Sequence, residues 1–249
     1  MTMKPTEVGL KVQARIRPAV GVVDTPEIKA KFLPGEIGAI LDWEVRDTKT
    51  GLLIPGKSGI KKAESFTRQF FDLLMIKMAD CGQYQTNGIS EVRSTANVLE
   101  PSILNSPVVL ATNALATDIT FGPVVGRQVG PAAPTITDYA LQSIVAHGVG
   151  ANQLQYSIVT WGADASDATT SQFTLTRNFA NASGGNVTVT EAGVYVKALQ
   201  IAAGGFWYPA GYGAGVAKYF CIIRDVIAGG IIVGNGQTLT LNYRPQTVI

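Results

Sequence analysis

The sequence predicts a mainly-β protein: an antiparallel β-sandwich, jelly-roll or immunoglobulin-like, with one amphipathic helix near residues 61–80 and an extended N-terminal arm. Three observations lead there. From Thr135 onward Thr, Val, Ile and aromatic residues dominate and turn signals recur at intervals, as in a set of short antiparallel strands. Several runs alternate apolar and polar residues with the period of two that a half-buried strand requires. One segment departs from that rule and spaces its apolar residues like a helix.

In chain order, Leu10, Val12, Ala14 and Ile16 alternate with Lys11, Gln13, Arg15 and Arg17, a strand pattern, and residues 18–34 then read as a Pro-interrupted arm. Leu41, Trp43 and Val45 alternate with Asp42, Glu44 and Arg46. They run into the turn residues Asp47-Thr48-Lys49-Thr50-Gly51 and then Leu52-Leu53-Ile54, so a hairpin is expected. Over 61–80, Phe66, Phe70, Leu73, Leu74 and Met78 share a helical stripe, with Gly82 as a stop. Phe71, Met75 and Ile76 widen the stripe, which places this helix in the core or at a subunit contact. Further strands are expected at 106–111, 119–125, 154–161, 173–179, 187–196, 219–227 and 238–243. The segmentation that follows is 1–59 (arm and hairpin), 60–134 (helix and loops packed on the sandwich) and 135–249 (the sandwich module).

The most detailed expectation concerns 170–196. Phe173, Leu175, Arg177 and Phe179 share one face, and Val187, Val189 and Glu191 share another. Asn181-Ala182-Ser183-Gly184-Gly185-Asn186 between them offers positive-φ turn residues. Pairing Phe179 with Val189 sets Arg177 opposite Glu191, so a hairpin with an Arg177–Glu191 cross-strand ion pair is predicted. The alternation slips after Glu191, which suggests a β-bulge beside Gly193. The strand at 219–227 is apolar on both faces except for Arg224 and Asp225, so it needs a second cover, from the helix or from a neighbouring subunit.

With 249 residues, 46% apolar and 15% charged, the chain can bury a substantial core, and its low charge hints at surface covered by partners. The net charge of +2 gives no support for a nucleic-acid or membrane partner, and the run Lys57, Lys61 and Lys62 reads as a solvated surface. Cys81 and Cys221 imply no disulfide framework. No signal peptide and no bilayer-spanning stretch is expected, so the protein is placed in the cytoplasm or in what assembles there.

No catalytic, cofactor-binding or metal-binding residue is assigned. The single histidine, His147, precedes Gly148 and reads as a turn residue. Gly211-Tyr212-Gly213-Ala214-Gly215 with Lys218 lacks the Gly-Lys-Ser/Thr ending of a phosphate loop. Its aromatic neighbours Phe206, Trp207 and Tyr208, together with Tyr212, form a candidate contact loop. Asp164 and Asp167 lie in a polar loop without the EF-hand spacing. They are also the only cheap carboxylate pair for a glycan-degrading enzyme. Asn181 and Asn186 form nominal glycosylation sequons.

Arg177, then Asn181-Ala182-Ser183-Gly184, then Glu191-Ala192-Gly193-Val194-Tyr195 resembles a module recurring in uncharacterised structural proteins of tailed bacteriophages. The downstream Ile222-Ile223-Arg224-Asp225-Val226-Ile227 and Asn235-Gly236-Gln237-Thr238-Leu239-Thr240-Leu241 are similar to the same module. So are the upstream Asp138-Tyr139-Ala140-Leu141 and Gln153-Leu154-Gln155-Tyr156, and together these pieces span 135–243. The resemblance implies a virion component of the capsid exterior, neck, tail or fibre, assembled in the host cytoplasm. Its partners would be copies of itself and other virion proteins, and it would have no enzymatic activity and no cofactor. The alternative expectation is a carbohydrate- or receptor-binding module on the virion surface, with Trp207, Tyr208 and Tyr212 stacking on a host glycan.

Overall fold

A computed structural model of the chain describes residues 32, 36–63, 66–78, 91–101, 110–200 and 216–248. The elements in chain order are β1 (Ile37–Asp47), β2 (Gly59–Lys62), α1 (Arg68–Met78), β3 (Glu91–Arg93), β4 (Leu99–Pro101), β5 (Gly122–Gly126) and β6 (Gln155–Tyr156). There follow β7 (Thr160–Trp161), β8 (Thr170–Gln172), β9 (Leu175–Ala180), β10 (Val187–Gln200), β11 (Val216–Val233) and β12 (Gln237–Val248). The protein is mainly β and antiparallel, with one helix.

A seven-stranded sheet runs β2-β1-β12-β9-β6, with β7 also on β9 and β8 on β12. A second sheet runs β11-β10-β5, and β3 pairs with β4. One apolar core joins the two larger sheets: Leu41 and Val45 of β1, Phe179 of β9 and Leu239 and Leu241 of β12 share it with Val124 of β5, Val194 of β10 and Ile223 of β11. Alternation along β9 and β12 delivers these residues to one face, as the sequence predicts. The expected segments do not separate in space. β1 pairs along its whole length with β12, and β5 pairs with β10, so strands from all three segments build the two sheets.

The turn after β1 forms as expected. Asp47 Oδ1 accepts from the Lys49 and Thr50 amides and from the Thr50 hydroxyl, and Arg46 bridges to Leu53. These donors hold the Asp47 carboxyl below the usual carboxylate range. The helix starts later than 61, because Gly59–Lys62 is taken up as a strand against β1 and helical turns begin only at Arg68. It supplies part of the second cover that β11 needs, with Leu73 packing on Phe220 and on Val196 and Ala198 of β10, while Phe66 just before the helix pairs with Ile223. The expected strand at 154–161 is split into β6 and β7. The expected strand at 106–111 falls largely outside the described residues, although Ala111 bridges to Lys197. The arm before Phe32 also lies outside them.

Residues 170–196 do not form a hairpin. β9 pairs with β12, β6 and β7, whereas β10 pairs with β11 and β5. Residues 181–186 therefore carry the chain from one sheet to the other. Asn181, buried, organises this crossing. Its Nδ2 donates to Gly185 O and Val233 O, and its Oδ1 accepts from the amide and hydroxyl of Ser183.

Register shifts fall on both sides of Gly193, at Val189/Glu191 and Val194/Tyr195, with the surplus residues in β11 rather than β10. At the first shift Thr190 faces residues 227–230. Gly229 and Gly230 there have φ of 77° and 67°, a region that side chains other than glycine rarely adopt. Gly193 is required by close approach, since a Cβ there would stand 2.7 Å from Ile223 O.

Candidate functional site

The charged residues singled out by the sequence are brought into the interior, but not to each other. Arg177 projects from β9 into the core with no exposed surface. Its Nε donates to Ser157 O at 2.9 Å, Nη1 to Phe121 O and Pro123 O at 3.1 Å each, and Nη2 to Leu115 O at 3.1 Å and to Asp118 O. All five guanidinium N–H groups thus end on main-chain carbonyls. The guanidinium also lies 4.8 Å from the ring centre of Tyr156. Burial pulls Arg177 down to about 10, against the pull of Tyr156 and Asp118, so it keeps its charge at neutral pH.

Glu191 meets Arg224 instead. Its Oε1 accepts from Arg224 Nε at 3.0 Å and Nη2 at 2.7 Å. Arg224 Nη1 donates to Asp138 Oδ2 at 2.6 Å, and Nη2 also reaches Ala132 O. Burial works against the Arg224 charge, but hydrogen bonds and attraction from Glu191 and Asp138 outweigh it and raise its pKa. The expected Arg177–Glu191 contact is therefore corrected. The two strands lie in different sheets, and Arg224, on the strand beside Glu191, supplies the counter-charge that Arg177 was expected to give.

Around this pair, residues 132–142 are stitched across the outer face of the second sheet. Leu141 N donates to Tyr195 Oη at 2.6 Å, Gln142 N to Glu191 Oε1 at 3.3 Å, and Asp138 closes a turn on Thr135. On the opposite, core-facing side of β11, Tyr243 Oη donates to Asp225 Oδ2 at 3.0 Å, and Lys61 Nζ stands 3.9 Å from Asp225 Oδ1 and donates to Val226 O. Lys61 is thus not part of a solvated run, whereas Lys62 pairs with Glu36 near the surface. Burial pushes the Tyr156, Tyr195 and Tyr243 hydroxyls and the Cys221 thiol well up.

His147 accepts the Tyr156 amide on Nδ1 at 3.0 Å, a loop-fastening role. Asp164 accepts from Ser166, and Asp167 accepts from Thr169 and Thr170 within their own loop. Among the described residues no group of His, Cys, Asp or Glu is arranged to hold a metal ion, and no helix is long and apolar enough to cross a membrane. The contact loop Phe206, Trp207, Tyr208 and Tyr212 lies outside the described residues.

The sequence reading passed over the roles of Asp138, Gln142 and Tyr195. The usable signal was Arg224, which with Asp225 interrupts an apolar run and, pointing to the other face from Asp225, demands a buried acidic partner of its own. It also passed over an exposed pair, Trp161 and Phe173, whose rings stack 5.3 Å apart at 14°. Comparison with protein-family models, curated proteins and solved structures finds no match to the chain.

Proposed function

We propose that the chain is a non-enzymatic structural component of a bacteriophage particle, in a tail, neck, fibre or capsid-associated position. It would act in the virion with copies of itself and other virion proteins as partners. One observation carries this reading. The residues that bear the phage-module resemblance are spent on architecture: Arg177 on main-chain carbonyls, Asn181 on the crossing between sheets, and Glu191, Tyr195, Arg224 and Asp138 on fastening 132–142. A polar pattern used for such fastening explains itself as a scaffold, with no need of a substrate. The low charge of the chain and the exposure of Trp161, Phe173, Leu115 and Val129 suit a protein that meets neighbours in an assembly. Negative-stain electron microscopy of the purified 249-residue chain tests it. Regular rings, tubes or fibres are expected, and dispersed single particles of monomer size at every concentration would count against it.

A further inference from the structure

The seven-stranded sheet runs past the edge of the sheet that covers it. Opposed residues of neighbouring strands share a face, so Leu41, Tyr243, Leu175 and Trp161 form one row across β1, β12, β9 and β7. Leu41, Tyr243 and Leu175 are buried, but Trp161 at the end of the row is 51% exposed. Further toward this end of the sheet, Ile37, Thr247 and Ser171 form another row on the same face, with Ile37 59% exposed. Phe173, two residues from both Leu175 and Ser171, shares that face and stacks on Trp161. The core-facing side of the sheet therefore ends in an uncovered apolar surface built by Ile37, Phe173 and Trp161.

We propose that this surface receives residues 8–17 of a second copy of the chain. The inference rests on the assembly reading above. Three observations select this occupant. Residues 1–31 lead toward Phe32 and Glu36 at this same end of the sheet, where Val248 N donates to Glu36 O. Phe32 lies against Gly38 and under Lys62, on the face opposite Ile37, so the one described residue of this end before Glu36 sits on the side of the sheet away from Trp161. In residues 8–17, Leu10, Val12, Ala14 and Ile16 alternate as an apolar stripe, and Lys11, Arg15 and Arg17 add three positive charges. The loop between β7 and β8, which follows Trp161 directly, carries Asp164 and Asp167, so the stripe and the charges have counterparts on one stretch of chain.

The test uses the 249-residue chain with Cys81→Ser, leaving the buried Cys221 in place. A tagged Ala14→Cys chain is co-assembled with an untagged Ser171→Cys chain and oxidised. The expected product is a disulfide heterodimer, identified by its mass and by its cross-linked peptides. Failure of the heterodimer to form overturns the inference. So does a disulfide closed within one monomer of the chain carrying both substitutions, which would assign the surface to the chain's own arm. In parallel, the double variant Trp161→Ala/Phe173→Ala should keep its β circular-dichroism spectrum and associate roughly tenfold or more weakly. Wild-type association in that variant also overturns the inference, while the assembly reading stands. A monomeric wild type sinks both. Binding of the wild-type protein to bacterial cell-surface polysaccharide, lost in the double variant while its association is kept, would assign the surface to a glycan instead.

Discussion

Glu191 and Arg224 face each other across neighbouring strands of the smaller sheet, with one carboxylate oxygen accepting both Nε and Nη2 of the guanidinium. Glu191 has no exposed surface and Arg224 almost none, so neither charge has water to fall back on. Replacing Glu191 by Ala should therefore cost about 3–5 kcal/mol in urea unfolding, most of it because the guanidinium loses its buried counter-charge and keeps Asp138 as its acidic partner. Asp138→Asn, at the more exposed end of the cluster, should cost on the order of 1 kcal/mol. The double variant Glu191→Leu/Arg224→Met should be more stable than the sum of its single changes implies. Simple additivity would contradict a coupled buried pair.

Arg177 offers a different test. Five carbonyls converge on a planar fork, and a lysine ammonium has only three donors on a flexible stem. Arg177→Lys should deprive at least two of these carbonyls of their guanidinium donor and destabilise by about 2–4 kcal/mol. Hydrogen exchange should rise first in 115–123, the segment that Arg177 holds. A variant as stable and as protected as the wild type would show that the carbonyl contacts carry no weight.

Alkaline pH should unfold the protein cooperatively. Tyr156, Tyr195 and Tyr243 are raised above the ordinary value of 10 by burial, so the folded state keeps protons that the unfolded chain releases. Their contribution is intact below pH 10 and falls above it, by up to about 1.4 kcal/mol per pH unit for each tyrosine. Arg177, lowered to about 10 in the fold, works in the opposite direction over the same range, but one arginine offsets only one tyrosine. The tyrosinate absorbance of these three tyrosines should appear in the same step as the change in circular dichroism. Tyrosinate appearing gradually in a folded protein, at the ordinary tyrosine value for all eight tyrosines, would refute the burial of these three.

The thiol of Cys221 has no access to solvent, and burial raises its pKa. In a Cys81→Ser background an aromatic disulfide reagent should leave the native protein unlabelled and titrate one thiol after denaturation. Rapid labelling of the native protein would mean that Cys221 is not enclosed in the core shared by the two larger sheets.

What the sequence revealed was faces, and what it withheld was partners. The alternation at 173–179 and 187–191 correctly placed Leu175, Arg177, Phe179, Val187, Val189 and Glu191 on buried faces. A period of two cannot say which strand lies alongside, and the Gly-rich residues 181–186 serve a sheet-to-sheet crossing as readily as a hairpin. Two charges at matching positions looked like a pair because the nearest strand in sequence was assumed to be the nearest in space. The pairing that mattered, β1 with β12, joins the two ends of the described chain: Asn242 Nδ2 reaches Asp42 Oδ1 at 2.6 Å. Local pattern holds no information on a contact of that span. The Asp47 turn was legible because all of its chemistry lies within a few residues.

Mass photometry of the purified 249-residue chain over a dilution series tests the proposal that it is an assembling particle component. Discrete masses at integer multiples of 26.3 kDa are expected, persisting on dilution and shifting downward in Trp161→Ala/Phe173→Ala. A single 26.3 kDa species at every concentration would contradict it.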